Sequence, residues 1–304
     1  MMAYSTTDIR NIALVGQAGA GKTLLAENLL AESGAIRARG SLERGTTVCD
    51  YDPQEKQLQH SLDASIVHFD AVGRRVNLID TPGYPDFAGR SLSVLEAVET
   101  AAIVVSAVNG VEPVTQRMME FTRDRGLCRL IIINKSDNRD AHPEQVLADL
   151  REIFGRECLP LNLPTDGGRG VVDCFFNPGD ARPDFSSVAA AHTEIIDQVV
   201  EVDEKLMALY LEQGEDLAPD QLHDAFEQAL REGHLTPVCF VSAETGAGVK
   251  ELLEIFARLM PNPLEGNPPP FLKGEGPDAE RVKVEPDPER HVIAHVFKVN
   301  IDPF

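Results

Sequence analysis

GQAGAGKT, residues 16–23, has the spacing G-x-x-x-x-G-K-[ST]. The apolar run NIALVG (11–16) leads into it, and KTLLAENLLAESG (22–34) leads out. In the second stretch Leu24, Leu25, Leu29 and Leu30 share one helical face, and Gly34 stops the helix. A strand that turns through glycines into a helix is the setting in which this pattern holds phosphate. The glycines let backbone N–H groups close around an anion at the positive end of the helix dipole. The candidate phosphate-binding residues are therefore Gly16, Gln17, Ala18, Gly19, Ala20, Gly21, Lys22, Thr23 and Leu24. Lys22 is placed to reach the β- and γ-phosphates, and Thr23 to ligate Mg²⁺.

Outward from this motif, short β-branched runs alternate with helical stretches. SIVHFDAV (65–72) and RRVNLID (74–80) read as a hairpin around Gly73. AAIVVSAV (101–108), a helix over 114–125, RLIIIN (129–134), TPVCFVSA (236–243) and the helix VKELLEIFARLM (249–260) continue the rhythm. Buried strands alternating with helices predict an α/β fold with a mostly parallel sheet, helices on both faces and one antiparallel edge strand at 65–72. Between 157 and 235 the rhythm changes to short strands with turns (LPLNLPTDGGRGVVDCFF) and then an acidic helical pair, 188–212 and 219–232. This predicts an inserted α+β subdomain inside a nucleotide-binding domain spanning 1–264. Residues 265–290, rich in Pro, Gly and charge, read as a linker. HVIAHVFKVNIDPF (291–304) alternates as a strand. One strand cannot form a domain, so the expectation is the first strand of a truncated β-domain.

Composition narrows the function classes. The 304 residues carry a net charge of −21, which argues against general adhesion to nucleic acid and against DNA as a partner. Five scattered cysteines (Cys49, Cys128, Cys158, Cys174, Cys239) include no CxxC pair, which fits reduced thiols in a cytoplasmic protein. The polar N-terminus is no signal peptide, and no apolar run is long enough to span a bilayer.

Three further loops follow predicted strands. In DTPG (80–83), Asp80 sits where a Mg²⁺-facing acid belongs, and Gly83 can offer a bare N–H to a γ-phosphate and swing when that phosphate leaves. In NKSD (134–137), the Asp137 carboxylate can accept two hydrogens from the N1 and exocyclic amine of guanine, a donor pair that adenine lacks. Lys135 can lie across the base plane, and Asn134 can tie this loop to the phosphate loop. In SAETG (242–246), Ser242 and Ala243 close the base site, with the Ala243 N–H offered to the guanine carbonyl. These residues predict GTP and GDP as ligands, with Mg²⁺ as the metal.

The four motifs in this order resemble the GTPases of translation. The run from AAIVVSAVNGVEPVTQRMMEFTRDRGLCRLIIINKSDN, the inserted VVDCFF and VDEKLMALYLEQGEDL, and the terminal HVFKVNIDPF resemble elongation factor G, closest to its secondary, elongation factor G-like class. The resemblance implies a P-loop GTPase domain, a ribosome-associated role and GTP hydrolysis, slow without ribosomes. It implies that 291–304 opens a β-barrel domain. It also implies contacts of the longer protein with large-subunit rRNA and the ribosomal stalk protein.

The family also needs a switch-loop hydroxyl on Mg²⁺. ERGTT (43–47) nominates Thr47, but Thr47 is 33 residues before Asp80, whereas Ser61 is 19 before it and abuts the hairpin strand. Spacing favours Ser61, with HSL (60–62) in place of the family's Ile-Thr-Ile. Two positions depart from the family. Gly19 stands where an acid or similar polar group is usual. Tyr84 follows DTPG where the family has a histidine that orients the attacking water. A phenol is no general base at neutral pH, although such residues mainly position water. Tyr84 is thus a candidate catalytic residue with Gly83, or a packing residue against a neighbouring loop. The acids Glu194, Asp197, Glu201, Asp203, Glu204, Glu212, Glu215 and Asp216 form either a solvated face or, as the resemblance implies, a docking surface for the stalk protein. Two alternative functions stay open: a GTP-dependent regulator with little hydrolysis, and a ribosome-protection or release-type factor.

Overall fold

The computed structural model describes residues 4–213, 217, 219–268, 271–282, 285, 287, 289 and 294–300. Strand β1 (Ile9–Val15) leads through the glycine loop into α1 (Lys22–Glu32). Gly34, at φ +78°, ends that helix, with its N–H on the Ala31 carbonyl and the Ile36 N–H on Leu30. The helix buries more than one stripe: Leu25, Leu29 and Leu30 are joined in the interior by Glu27 and Asn28, while Leu24 stays half-buried. A short helix, α2 (Pro53–Leu58), precedes the hairpin β2 (Ser65–Ala71) and β3 (Arg74–Asp80), which turns at Val72 and Gly73, both at positive φ.

After α3 (Ala88–Val94) come β4 (Thr100–Ser106), α4 (Pro113–Asp124), β5 (Cys128–Asn134) and α5 (Pro143–Phe154). The insertion supplies β6 (Cys158–Pro160), the separate hairpin β7 (Asn162–Thr165) with β8 (Gly170–Asp173), and three helices: α6 (Val188–Val200), α7 (Glu204–Gln213) and α8 (Pro219–Glu232). β9 (Thr236–Phe240) and α9 (Val249–Arg258) complete the order.

The main sheet runs β2-β3-β1-β4-β5-β9-β6, with only the β2–β3 pair antiparallel. Every residue of β4 and β5 is buried, as expected of central parallel strands covered on both faces. Edge strand β2 alternates instead: Ser65, Val67, Phe69 and Ala71 point inward, and Ile66, His68 and Asp70 outward. The α1 and α9 helices pack on each other and against β3, while α4 packs against β4 and β5.

Three readings of the insertion change. Its first strand is an integral edge of the main sheet, Cys158–Pro160 pairing with Thr236–Val238. The stretch 188–212 is two helices, broken at Glu201–Asp203, because the Asp203 carboxylate caps the second by accepting from the Lys205 and Leu206 N–H groups. The acids are also partly engaged: Glu194 pairs with Arg151 at 2.7 Å, and Asp197 accepts from the Tyr210 hydroxyl at 2.7 Å. Glu215 and Asp216 lie outside the described residues.

The Pro- and Gly-rich stretch after 264 contains a small antiparallel pair, Phe271–Lys273 with Glu280–Val282. Residues 294–300 have no regular secondary structure, and Lys298 of this stretch reaches the Ala64 carbonyl. The rest of the alternating segment, 291–293 and 301–304, lies outside the described residues. All five cysteines are free and buried. Among the described residues no helix is long and apolar enough to cross a membrane.

Candidate active site

Because β1, β3, β5 and β9 belong to the main sheet and β1, β5 and β9 run parallel, the loops at 16–22, 80–84, 134–137 and 242–246 meet at one edge, beyond the strand C-termini. The fold thus gathers the four predicted motifs into one place from the two ends of the domain.

The glycine loop holds its shape through positive-φ turns at Gly16 (φ +128°), Gly19 (+71°) and Gly21 (+91°). A Cβ on Gly16 would lie 2.4 Å from the Val104 carbonyl oxygen, so the close approach to β4 requires glycine there. Gln17, a candidate for phosphate contact, turns its fully buried side chain away. That side chain donates to the Gly110 carbonyl at 3.2 Å and accepts from the Thr115 hydroxyl at 2.5 Å, which leaves only the backbone of Gln17 to serve the loop. Lys22 folds across the loop, its ammonium donating to the Gly16 and Gln17 carbonyls at 2.9 Å each. Burial lowers the Lys22 pKa to about 8, partly offset by the Asp80 carboxylate.

Thr23, Ser61 and Asp80 converge. The Thr23 hydroxyl donates to Asp80 Oδ2 at 2.6 Å and lies 3.1 Å from the Ser61 hydroxyl. Ser61 in turn donates to Asp50 Oδ1 at 2.9 Å. Thr47 is buried one step away, on Asp50 Oδ2 at 3.0 Å, and does not reach Thr23. Asp80 is 1% exposed, and its other oxygen, Oδ1, is buried without a hydrogen-bond partner. Burial pushes its pKa up to about 7, against the pull of the Thr23 hydroxyl and the Lys22 charge. Two hydroxyls and an under-satisfied carboxylate are hard oxygen donors that suit Mg²⁺. Among the described residues no group of three or more His, Cys, Asp or Glu forms a metal cage, so an ion here would draw its remaining ligands from phosphate and water.

Gly83 packs directly on the glycine loop: a Cβ there would meet Lys22 Nζ at 2.4 Å and the Ala18 nitrogen at 2.6 Å. Tyr84, 44% exposed, lines the same cleft with Ala18, Gly19, Lys22, Thr23, Leu24 and Ser61. Its ring lies 4.6 Å from that of His60.

Asn134 joins three loops. Its amide donates to the Ala20 carbonyl at 2.8 Å, and its Oδ1 accepts from the Lys135 and Ala243 N–H groups at 2.8 and 2.9 Å. The Ala243 N–H, which the sequence reading offers to the guanine carbonyl, is engaged by Asn134 in this structure. Ser242 is fully buried and shapes the 242–246 turn, its hydroxyl accepting from the Thr245 N–H at 3.0 Å. Lys135 is in the left-handed region (φ +66°), and Asp137 is half-buried. The insertion braces this loop from behind: a side chain at Gly168 would meet the Ser136 carbonyl oxygen at 2.1 Å.

Sequence reasoning missed the buried acids that order the 35–64 loop. Glu27 accepts from the Gly40 and Val48 N–H groups, Asp50 holds Thr47 and Ser61, and Glu55 accepts from the Leu62 and Asp63 N–H groups at 2.9 and 3.2 Å. The Asp52–Glu55 capping box at the start of α2 and the Thr47–Asp50 pair three residues apart are local signals that could have marked two of them, whereas the Glu27 contacts with Gly40 and Val48 are set by tertiary folding.

Residues 7–262 match the family model described as the elongation factor Tu GTP binding domain. The chain is 34% identical over 309 aligned residues to an elongation factor G-like protein of Mycobacterium tuberculosis, covering 97% of this chain and 43% of that protein. It is 31% identical to an elongation factor G-like protein of Thermotoga maritima over 98% of this chain and 44% of that one. Peptide chain release factor 3 of Streptococcus mutans matches at 33% identity over 84% of this chain and half of its own length. A crystal structure of a protein from Thermus thermophilus superposes with a TM-score of 0.76 at 37% identity, covering 85% of this chain and 41% of that one. The chain thus spans less than half the length of the elongation factor G-like relatives it matches. It belongs to the elongation factor Tu GTP binding domain family.

Proposed function

We propose that this chain is the nucleotide switch of an elongation factor G-like protein that acts on the ribosome in the cytoplasm. The observation that carries the reading is the convergence of Thr23, Ser61 and Asp80 beside Lys22 and Gly83. The glycine loop's N–H groups and Lys22 hold the β- and γ-phosphates, and Lys22 must leave the carbonyls of Gly16 and Gln17 to do so. Thr23, Ser61 and Asp80 would hold Mg²⁺, which when bound would supply positive charge to offset the negative charge of the phosphates during hydrolysis. Gly83 presents its N–H to the γ-phosphate and relaxes when that phosphate is released. Asp137 reads guanine, Lys135 covers the base, and Asn134 keeps the base loop in register with the phosphate loop.

The domain plan in this reading is a nucleotide-binding domain over 1–264 with the insertion at 157–235. The expected linker at 265–290 and the strand expected at 291–304 fall in part outside the described residues. Large-subunit rRNA and the stalk protein are the proposed contacts of the longer protein. A second reading rests on Tyr84: with a phenol in the cleft, the switch binds GTP but barely hydrolyses it without a further group. Similarity to release factor 3 supports a release-type role as a variant of the first reading. Single-turnover GTP hydrolysis with and without ribosomes tests the proposal. Ribosome-stimulated hydrolysis supports it, and tight GTP binding with no stimulation favours the second reading.

A further inference from the structure

We propose that His60 supplies the water-orienting group for GTP hydrolysis in this protein, from the switch loop rather than from the position after DTPG. This rests on the reading of the cleft as a GTPase site. His60 lines the phosphate cleft with Lys22, Thr23, Gly83 and Tyr84, and it immediately precedes Ser61, whose hydroxyl is 3.1 Å from that of Thr23. Its ring lies 4.6 Å from the Tyr84 ring at an interplanar angle of 51°, and 6.4 Å from Phe87. The imidazole therefore occupies the space directly beside the residue that follows Gly83.

Two chemical facts select the imidazole over its neighbour. His60 Nδ1 lies 3.4 Å from the Ser61 carbonyl oxygen, an acceptor, so the tautomer that carries hydrogen on Nδ1 is favoured and Nε2 is left with a lone pair. Among the described residues Nε2 has no hydrogen-bond partner, so its lone pair is available to a water. A phenol oxygen accepts hydrogen bonds more weakly than an imidazole nitrogen. Tyr84 then acts as a wall: its ring packs on the imidazole and limits the rotamers His60 can adopt.

The chemistry needs only an acceptor. The water oxygen bonds to the γ-phosphorus, and the bond from that phosphorus to the β–γ bridging oxygen breaks with its electron pair left on GDP. The two water protons end on the released phosphate. His60 orients the water through one accepted hydrogen bond and gains no net proton. Because the switch loop carries both Ser61 and His60, the same loop closure that seats the Ser61 hydroxyl also seats the imidazole. Hydrolysis is thereby tied to the ordered state of that loop.

Single-turnover hydrolysis of GTP by the protein, with and without ribosomes, tests this with His60→Ala, His60→Gln and the double variant His60→Ala/Tyr84→His. Affinity for a fluorescent GDP is measured in parallel. The expected result is a loss of about 10²-fold in rate for His60→Ala with GDP affinity preserved. Partial retention is expected for His60→Gln, whose amide can also accept from water. The double variant recovers at least about tenfold over His60→Ala, because an imidazole is restored to the same cleft. A His60→Ala rate equal to that of the unsubstituted protein overturns the proposal, as does a loss that is matched by His60→Gln and not recovered by Tyr84→His. Failure of the unsubstituted protein to bind or hydrolyse GTP overturns the GTPase reading itself, a separate outcome.

Discussion

The Thr23 hydroxyl donates to Asp80 Oδ2 at 2.6 Å, joining the first residues of α1 to the end of β3 across 57 positions of sequence. Asp80 keeps its second oxygen buried and unpaired, an arrangement that costs about 1–3 kcal/mol unless a ligand compensates for it. Asp80→Asn or Thr23→Val is expected to abolish the dependence of nucleotide affinity on Mg²⁺. GDP dissociation, followed by fluorescence with Mg²⁺ and with EDTA, should then proceed at similar rates in both conditions.

Asp137 sets base choice if its carboxylate accepts from both guanine donors. Asp137→Asn replaces one acceptor with a donor, so GDP affinity should fall by at least about 10²-fold. Xanthosine diphosphate, which carries a carbonyl where guanine carries its amine, should bind the variant better than GDP does. Competition titrations of both nucleotides check this.

Asn134 is the hub of the base site, bonded to Ala20, Lys135 and Ala243. Asn134→Ala strands a buried carbonyl and a buried N–H, each worth about 1–3 kcal/mol. The variant should unfold at lower denaturant concentration and lose GDP affinity together, measurable by urea titration with and without nucleotide.

Gly83→Ala forces a methyl group against Lys22 Nζ and the Ala18 nitrogen. Hydrolysis should slow by about 10²-fold, because relieving that clash displaces the backbone N–H expected to face the γ-phosphate. GDP, which lacks the γ-phosphate, should still bind. Single-turnover hydrolysis and GDP titration on the same preparation separate the two effects.

Glu99 gives a pH signature away from the cleft. It is half-buried, accepts from Asn11 Nδ2 at 3.0 Å, and burial raises its pKa to about 7. The folded state therefore binds more protons than the unfolded state between about pH 4.5 and 7, so this group's stabilising contribution is present below that window and is lost as pH rises through it. Asp80 acts in the same direction. Glu99→Gln should flatten part of the fall, seen as a smaller difference in unfolding free energy between about pH 5.5 and pH 8 than in the unsubstituted protein.

The motif loops are legible in the sequence because each is a local pattern at the end of an apolar run: GQAGAGKT, DTPG and NKSD carry their chemistry in adjacent residues. Spacing, set against the family's switch-loop pattern, favours Ser61 over Thr47, and the Ser61 hydroxyl lies 3.1 Å from that of Thr23. What stays hidden depends on contacts between distant segments. The 158–160 strand is three residues long and ends in proline, so only its pairing with β9 shows that it extends the sheet. The break at Glu201–Asp203 has no glycine or proline to announce it, and an Asp cap produces it. Gln17 sits in a phosphate motif, yet its side chain serves α4. His60 has no motif at all, and its meaning comes from the Tyr84 ring beside it.

The central claim is guanine specificity. Displacement of a labelled GDP by unlabelled GDP and by ADP, in the presence of Mg²⁺, tests it most directly. The account predicts that GDP competes at concentrations at least about 10³-fold below those needed for ADP. Equal competition by the two nucleotides would contradict it.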